Sequence, residues 1–292
     1  MSSLAPEWLI ATVRQAKRGY SVEKRNYTRS LLSNLHLPTV CESAQCPNRG
    51  VCFSDHTATF LILGEICTRG CAFCAVKRGQ PAEPPVQDEP ERITQAVIGL
   101  GLSHVVITSV TRDDIFDGGA THYTKVVRAL RECCPQVTVE LLVPDFGGSG
   151  EALATVLATR PEILAHNLET IPRLYSQVRQ GADYHRSLTL LAKTKKVSPE
   201  VITKSGLMLG LGEDDPEVEA VLRDLRGACC DMLTIGQYLA PSTAHAPVER
   251  YVTPEEFDHW RETALHMGFK SVASGPLVRS SYRAPVFYKD VQ

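Results

Sequence analysis

The segment CTRGCAFC, Cys67 to Cys74, constrains this chain more than any other stretch, because it holds three cysteines spaced C-x3-C-x2-C. A structural zinc site closes with four protein ligands, whereas these three thiols have no fourth cysteine beside them. Three thiolates suit a four-iron cluster whose last iron stays open to a small molecule, since soft sulfur is the preferred ligand of such clusters. A zinc knuckle completed by a distant Cys or His is the alternative, and the spacing alone leaves it open.

The composition is that of a folded protein without a global charge bias. The chain has 292 residues, of which 43% are hydrophobic and 22% charged, enough for one large or two ordinary domains. Its net charge of −2 provides no overall basic surface, so we do not expect nucleic acid as a partner. No apolar run approaches the roughly 20 residues that span a bilayer, and the N-terminus lacks a secretory signal pattern. We therefore predict a cytoplasmic protein that does not bind membranes.

The ten cysteines are many for a protein in a reducing compartment, where metal binding or redox chemistry explains them better than disulfides. Six of them lie between Cys41 and Cys74. The other four form two adjacent pairs, Cys133–Cys134 and Cys229–Cys230, each at the end of a helical pattern. We interpret those four as small buried or half-buried side chains.

Strand-like and helix-like segments alternate from about residue 57 onward. Short apolar segments predict six strands, at 57–64, 104–109, 137–143, 162–167, 201–209 and 232–238. Helical patterns follow them, such as the buried stripe of Ile93, Ala96, Val97 and Leu100. Six repeats imply parallel strands with helices outside, fewer than the eight repeats of a closed TIM barrel. We therefore predict an α/β fold, a partial (β/α)6 TIM-type barrel.

We divide the chain into three parts. Residues 1–56 form an N-terminal extension, helical at first and then loop-like, residues 57–270 form the partial barrel, and residues 271–292 form a C-terminal segment. The acidic run 212–217 predicts a helix start, because carboxylates and proline are favoured in a first helical turn. Cys67 follows the first predicted strand by three residues, which places CTRGCAFC in the first βα loop, at the catalytic edge of such barrels.

A second group of three cysteines lies upstream. CESAQCPNRGVC holds Cys41, Cys46 and Cys52 in the spacing C-x4-C-x5-C, again without an adjacent fourth. A second cluster accounts for all three. The alternative is a single zinc site that borrows a ligand from the other group, which leaves two cysteines unused.

These residues carry a resemblance to known families. CTRGCAFC after a strand resembles the signature of radical S-adenosylmethionine (SAM) enzymes. The segments CESAQCPN, TFLILGEICTRGCAFC and GPLVRSSYRA resemble the lipoyl synthase family, and the likeness runs from about Pro6 to Ala284. The departures are small: Val51 stands where the family often has an acid, Thr111 where it often has Asp, and Gln180 where it often has Pro.

The resemblance implies a sulfurtransferase that inserts two sulfur atoms, at C6 and C8, into an octanoyl chain carried on a lysine. The implied carrier is the lipoyl domain of a 2-oxoacid dehydrogenase E2 subunit or the glycine cleavage H protein. The target C–H bonds are unactivated, so such a reaction requires cofactors that generate a carbon radical. The resemblance implies two [4Fe–4S] clusters, SAM as the source of a 5′-deoxyadenosyl radical, and a ferredoxin or flavodoxin as the electron donor.

The family also implies roles for particular residues. Cys67, Cys71 and Cys74 would hold the cluster that binds SAM. The second cluster would be the sulfur source, held by Cys41, Cys46 and Cys52 and by a serine of the RSSY motif. We expect Ser281 rather than Ser280. An oxygen ligand holds iron less firmly than thiolate does, so a serine can leave when the cluster is consumed. Without the resemblance, two serines near the end of the chain indicate a turn or a helix cap.

Side chains near the predicted strand ends are expected to bind SAM. Asn167 and Glu169 suit ribose hydroxyls, because the amide both donates and accepts while the carboxylate accepts. Glu140 lies inside a strand, where a buried acid needs a partner. Each candidate has an ordinary alternative in a helix cap, a loop hydrogen bond or core packing. The predicted SAM contacts are Phe73, Ser109, Asp113, Glu140, Asn167, Glu169 and Met208.

Two rival functions remain open. One is a different sulfur-inserting radical SAM enzyme, forming biotin or a thioether, which the first cysteine group alone fits equally well. The other is a zinc-stabilised RNA-binding module, against which the near-neutral charge, the aromatic content of 7% and the strand–helix repeat all count. The second cysteine group and RSSY favour the lipoyl family. We predict a monomer, since no long apolar face is left unassigned.

Overall fold

A computed structural model describes residues 5–291 of the chain. The chain divides into two compact units, which we call the N-terminal unit and the C-terminal unit. The N-terminal unit comprises Ala11–Arg69 and Ala75–Glu162, and the C-terminal unit comprises the residues up to Ile10, Gly70–Cys74 and the chain from Ile163 onward. The three-part division at residues 56/57 and 270/271 stays a prediction.

The described chain begins with helices. They are α1 (Glu7–Arg18), α2 (Val22–Asn34), α3 (Val40–Ser43) and α4 (Arg49–Ser54). The segment of the second cysteine group is therefore less loop-like than predicted, with Cys41 in α3 and Cys52 in α4. Thr39 starts α3 by accepting a hydrogen bond from the backbone N–H of Glu42 at 3.3 Å. A four-residue helix of this kind is too short to show a helical period in the sequence.

The rest of the N-terminal unit alternates strands and helices. These are β1 (Thr59–Ile62), β2 (Ile66–Cys67), β3 (Lys77–Arg78), α5 (Glu89–Leu100), β4 (His104–Ser109), α6 (Ala120–Cys133), β5 (Thr138–Leu142) and α7 (Gly150–Leu157). Strand β4 pairs in parallel with β1 and with β5, while β2 and β3 form a separate small ribbon around the first cysteine group. The predicted stripe on α5 is buried, as expected for a helix packed on a sheet.

The C-terminal unit continues the same alternation. Its elements are β6 (Ile163–Ala165), α8 (Tyr175–Val178), α9 (Tyr184–Val197), β7 (Ile202–Leu209), α10 (Asp215–Gly227), β8 (Met232–Gln237), α11 (Pro254–His266), β9 (Ser271–Gly275) and α12 (Ala284–Lys289). The pairs β6–β7, β7–β8 and β8–β9 are parallel. Helix α10 starts as predicted, because Asp214 and Glu217 form a capping box and Pro216 lies in the first turn.

The strands follow one another in the sheet in the order β1-β4-β5-β6-β7-β8-β9, which makes seven within residues 5–291. This parallel sheet confirms the prediction of an α/β partial barrel. It has one strand more than the six predicted repeats, because β9 lies in the segment assigned to the C-terminal tail. The sequence SVASG has too little apolar pattern to predict a strand, and its pairing with β8 supplies what the local signal lacks.

The strands of the C-terminal unit have two different faces. One face joins the buried residues of α10 and α11 in a single apolar cluster, to which the sheet contributes Leu207, Leu209, Leu233, Ile235 and Val272. Successive side chains of a strand point to opposite faces, so the intervening residues line the other side. Those residues are small or polar for the most part and include Gly206, Met208, Thr234 and Gly236. A sheet face without large aliphatic side chains has room for a ligand or for another segment of chain.

The paired cysteines outside the two groups do not all match the prediction. Cys230 is buried and Cys134 is half-buried, but Cys133 and Cys229 are exposed. The prediction that Cys133 and Cys229 are buried or half-buried is therefore wrong. Cys133 is the last residue of α6 and Cys229 lies in the turn after α10, where the chain is exposed to solvent. Among the helices of residues 5–291, none has the length and apolar character that a membrane span requires.

Candidate functional site

The first cysteine group follows β1 in the loop that contains β2. The thiols of Cys67, Cys71 and Cys74 are half-buried and form no disulfide. A turn links two of them, as the backbone N–H of Cys74 donates to the carbonyl of Cys71 at 3.1 Å. After β4, the backbone N–H of Thr111 points at the Sγ of Cys67 at 3.4 Å. Because this contact uses the backbone, the departure from the family at Thr111 leaves it in place. Hydrogen bonds to sulfur tune the properties of a thiolate ligand.

Arg69, inside CTRGCAFC, is held by two carboxylates. Its Nε and Nη2 donate to Asp113 at 2.8 and 2.7 Å, and its Nη1 and Nη2 donate to Asp145 at 2.9 and 2.7 Å. Burial lowers the pKa of Arg69, but the hydrogen bonds that it donates to Asp113 and Asp145 outweigh that effect and raise the pKa. These charge-assisted pairs attach the cysteine loop to the segments that follow β4 and β5. Asp113, predicted to bind SAM, is thus a hydrogen-bond partner of Arg69 in the N-terminal unit.

Ser109 and Glu140, two further predicted SAM contacts, lie on different faces of the β4–β5 pair. The parallel register places Glu140 beside Val106, whereas Ser109 shares the opposite face with Val105 and Ile107. Glu140 is 1% exposed, and its carboxylate lies 3.1 Å from Nε2 of His104, which provides the partner expected for a buried acid. The Oγ of Ser109 is buried without a hydrogen-bond partner in the described part of the chain.

Asn167 and Glu169 come together after β6, as predicted. Asn167 donates through Nδ2 to Oε1 of Glu169 at 2.9 Å. On its other side, Oδ1 of Asn167 accepts a hydrogen bond from Oγ of Ser280 at 2.7 Å. One amide therefore connects the carboxylate of Glu169 to the RSSY segment. The sequence favours Ser281 over Ser280 as the ligand of iron, and it does not predict the hydrogen bond between Ser280 and Asn167.

Glu169 is fixed by its backbone as well as by its side chain. Its φ of +67° is unusual for a residue with a side chain, and the neighbouring strand supports it. The N–H of Glu169 donates to the carbonyl of Gly206 at 2.9 Å, and its carbonyl accepts from Met208 at 2.8 Å. Burial raises the pKa of Glu169, and Arg179, Asn167 and Arg279 only partly offset that effect. The carboxylate is thus a half-buried hydrogen-bond acceptor in the segment after β6.

Two glycines of the sheet allow other parts of the chain to approach its backbone closely. A Cβ at Gly206 would lie 2.7 Å from Oγ1 of Thr234 and 2.9 Å from Oδ1 of Asn167. A Cβ at Gly236 would lie 2.2 Å from the carbonyl oxygen of Val278. The segment that carries RSSY therefore lies directly on β8, on the face opposite to α10 and α11. Neither glycine is predicted as a site residue, although two glycines inside predicted strands signal a close approach of another chain segment.

Phe73 and Met208 belong to the same unit as Asn167 and Glu169. Both are partly buried and pack against the apolar cluster of the C-terminal unit. The backbone of Ala72 is anchored there, since its N–H donates to Val178 and its carbonyl accepts from Ala246, each at 2.8 Å. Four of the seven predicted SAM contacts therefore lie in the C-terminal unit, and Ser109, Asp113 and Glu140 lie in the N-terminal unit.

The second cysteine group lies in the N-terminal unit, with Cys41 in α3, Cys52 in α4 and Cys46 in the loop between the two helices. The backbone N–H of Cys46 donates to the carbonyl of Cys41 at 3.0 Å, and Cys52 follows in α4. Burial, with a contribution from the nearby Cys46, raises the pKa of Cys41 to about 12. The raised pKa keeps this thiol protonated at neutral pH, so binding of a metal there would release a proton.

The two cysteine groups suit iron–sulfur clusters by the kind of ligand that they offer. Within residues 5–291, no three His, Cys, Asp or Glu side chains stand close enough together to hold a metal ion without rearrangement. The donor set nevertheless fits, because each group offers three thiols on short loops or helices and none of the ten cysteines forms a disulfide.

The fold and the first cysteine group agree with comparisons to known proteins. Residues 61–225 match the model of the Radical SAM superfamily. Methylornithine synthase is similar in fold with a TM-score of 0.56 and 17% identity, covering 88% of this chain and 76% of that one. The [FeFe]-hydrogenase maturase HydG gives a TM-score of 0.57 at 13% identity, covering 91% and 65%. The class of protein is thus a radical SAM enzyme.

Curated relatives narrow the class to one family. The lipoyl synthase of Caldanaerobacter subterraneus is 53% identical over 286 residues, which cover 98% of each chain. That of Trichlorobacter lovleyi is 56% identical over 279 residues, which cover 96% of each. The chain belongs to the lipoyl synthase family. It is an enzyme, a sulfurtransferase that uses SAM and [4Fe–4S] clusters, and the predictions of family, activity and cofactors are confirmed.

Proposed function

We propose that this chain inserts two sulfur atoms, at C6 and C8, into an octanoyl chain carried on a lysine of a lipoyl-carrier domain. The observation that carries the proposal is the similarity to lipoyl synthases over 98% of the chain, which includes both cysteine groups and RSSY. A likeness confined to the first cysteine group would support any sulfur-inserting radical SAM enzyme equally well.

We assign the two cysteine groups to two clusters. Cys67, Cys71 and Cys74 hold the first, and the second group, Cys41, Cys46 and Cys52, holds the other with Ser281. When bound, the first cluster supplies the electron that cleaves SAM and the second supplies the sulfur atoms. The chain itself contributes the position of these ligands. Arg69 keeps the first loop attached to Asp113 and Asp145, and the backbone N–H of Thr111 orients Cys67.

The residues after β6 are proposed to bind the nucleoside part of SAM. Asn167 and Glu169 present an amide and a carboxylate that are already aligned by their mutual hydrogen bond, which suits two adjacent ribose hydroxyls. Phe73 and Met208 offer apolar surface for the adenine ring and pack on a buried cluster that holds them in place. Preorganisation of this kind lowers the entropic cost of binding. Ser109, Asp113 and Glu140 remain proposed contacts for the rest of the ligand.

The remaining assignments concern partners and location. We propose the lipoyl domain of E2 or the glycine cleavage H protein as the carrier, a ferredoxin or flavodoxin as the reductant, and a monomer. All ten cysteines lack disulfides, which supports a reducing compartment, and we propose the cytoplasm. In the proposed division into parts, the C-terminal segment 271–292 contributes Ser281 and the extension 1–56 contributes the second cysteine group.

The two cysteine groups are expected to fail differently when mutated. Cys71→Ala should abolish SAM cleavage, because the group that holds SAM loses a ligand. Cys46→Ala should retain some SAM cleavage but yield no lipoyl product, because only the sulfur source is lost. Anaerobic assays with octanoylated H protein would measure 5′-deoxyadenosine by chromatography and lipoyl product by mass spectrometry. Cys133→Ala, at an exposed cysteine outside both groups, is the matched control and should behave as the wild type. Lipoyl product from the Cys46 variant would show that the sulfur-donor assignment is wrong.

A further inference from the structure

The helices α1 and α2 present a concentration of positive charge that the proposed chemistry does not use. We call Arg14, Lys17, Arg18, Arg25 and Arg29 the basic surface. The first three share one face of α1 through their i, i+3 and i+4 spacing, and the last two do so on α2. A guanidinium N–H of Arg25 donates to the carbonyl oxygen of Arg18, so the two rows adjoin. All five are exposed except Arg25, which is half-buried.

Acidic side chains of the described chain do not balance the positive charge of the basic surface. In residues 5–291, none of the five cations takes part in an ion pair between side chains. Glu23 is the one acid between residues 11 and 30, in a chain whose overall net charge is −2. Like charges at helical i, i+4 spacing are destabilising, so such a surface reduces the stability of the isolated chain.

Apolar side chains accompany the charge. Tyr20 and Val22, at the junction of α1 and α2, are each 63% exposed. Single exposed apolar side chains are normal on a protein surface, but next to several arginines they match the composition of protein interfaces, which combine aromatic residues and arginine. The composition of this surface is therefore that of a docking site for an acidic protein.

The basic surface is rigidly attached to the second cysteine group. A Cβ at Gly19 would lie 2.2 Å from the carbonyl oxygen of Gly50 in α4, so the two backbones touch. The Oγ of Ser54 donates to the carbonyl oxygen of Ser21 at 3.2 Å and accepts from the backbone N–H of Ser21 at 3.3 Å. Thr28 in α2 donates to the carbonyl of Phe53 at 2.8 Å. Helix α4 carries Cys52, so a partner bound to the basic surface has a fixed position relative to that cysteine.

We propose that the basic surface docks the octanoylated carrier domain through an acidic face of that domain. The inference rests on the proposed function, in which the second cysteine group supplies sulfur and the octanoyl chain must reach it. Docking on helices that are fixed to α4 brings the acylated lysine to that group. An electron donor must instead reach the first cysteine group, on the loop after β1. The contacts described above join the basic surface to α4 and not to that loop.

Charge reversal tests the proposal. Arg14→Glu combined with Arg18→Glu should raise the Kd for octanoylated H protein roughly tenfold at low ionic strength and flatten its salt dependence, because steering by opposite charge is lost. Lys193→Glu with Lys196→Glu is the matched control, since both lysines are exposed on α9 and the charge change is equal. Its Kd should stay at the wild-type value. Titration calorimetry on the anaerobic holoenzyme measures both variants.

A second substrate separates docking from chemistry. Turnover of a short octanoyl-lysine peptide, which has no domain to dock, should be unchanged in the Arg14/Arg18 variant. Three outcomes would each overturn the proposal. The first is equal Kd values for the carrier in the two double variants, and the second is a loss of peptide turnover in the Arg14/Arg18 variant as large as its loss of turnover with the carrier. The third is weakened binding of flavodoxin with unchanged binding of the carrier. Failure of the proposed function would look different, because wild-type enzyme would then form no lipoyl product from either substrate while the calorimetric comparison remained informative.

Discussion

Two adjacent serines near the end of the chain have different environments. The hydroxyl of Ser280 is engaged with Oδ1 of Asn167 at 2.7 Å, a contact that also fixes the amide next to Glu169. Ser281 is half-buried and lies in the turn before α12, where its carbonyl accepts from Ala284 at 3.3 Å. The hydrogen bond of Ser280 links it to Asn167, one of the proposed SAM contacts, whereas Ser281 is the proposed oxygen ligand of iron.

The two serines can be separated by mutation. Ser281→Ala should lower the iron content and abolish lipoyl product, because the second cluster loses its fourth ligand. Ser280→Ala should keep the iron but weaken SAM binding about fivefold, in line with the loss of about 1 kcal/mol for one buried hydrogen bond. Iron analysis and equilibrium binding of SAM measure the two effects. The opposite pattern would assign Ser280 as the ligand.

Arg69 shows how one residue ties a cysteine loop to the sheet. Its guanidinium serves Asp113 and Asp145 at the same time, and the side chain of Asp145 is fully buried. Two carboxylates need a planar group with several donors in a fixed geometry, which arginine provides and lysine does not. The residue lies between Cys67 and Cys71, so its anchoring acts directly on the spacing of the first cysteine group.

At the scale of elements, the contact of α1 with α4 depends on glycine. A Cβ at Gly50 would lie 2.1 Å from the carbonyl oxygen of Lys17, at the end of α1. A distance below 3 Å to a backbone atom requires one helix to move. Because α4 carries Cys52, the packing of these two helices sets the position of a ligand in the second cysteine group.

A single methyl group at this contact should therefore affect the second cluster. We expect Gly50→Ala to displace α4 and to lower the iron content by up to half, while SAM cleavage at the first cysteine group continues. Gly227→Ala is the matched control, because Gly227 lies in α10 with no atom within 4 Å of an added Cβ. Iron analysis and 5′-deoxyadenosine release measure the result. Full iron content in the Gly50 variant would contradict the proposed dependence.

At the scale of the whole molecule, the ligands proposed for the second cluster come from opposite ends of the sequence, since Cys41, Cys46 and Cys52 lie near its start and Ser281 near its end. Metal binding should accordingly contribute to the stability of the folded chain, because a site that exists only in the folded state links the two equilibria.

Metal content is the simplest test at this scale. Protein purified without oxygen should be brown and contain about eight irons per chain, as two [4Fe–4S] clusters do. Removal of iron by a chelator should lower the unfolding temperature. Colourless protein with bound zinc, or about four irons per chain, would contradict the assignment of two clusters.

Local patterns account for most of what could be predicted from the amino-acid sequence. Six strands, the stripe of α5 and the start of α10 depend on residues within a few positions of each other, so periodicity and capping residues reveal them. The two cysteine groups are equally local, and the family likeness follows from them and from RSSY.

Long-range contacts account for the rest. Strand β9 exists because β8 supplies its hydrogen bonds, and the short sequence SVASG has no strong signal of its own. Arg69 meets Asp145 across 76 positions, and Ser280 meets Asn167 across 113. No spacing rule connects residues so far apart. Such pairs form only when the folded sheet brings strand ends together, and burial then makes a partner for each polar group obligatory.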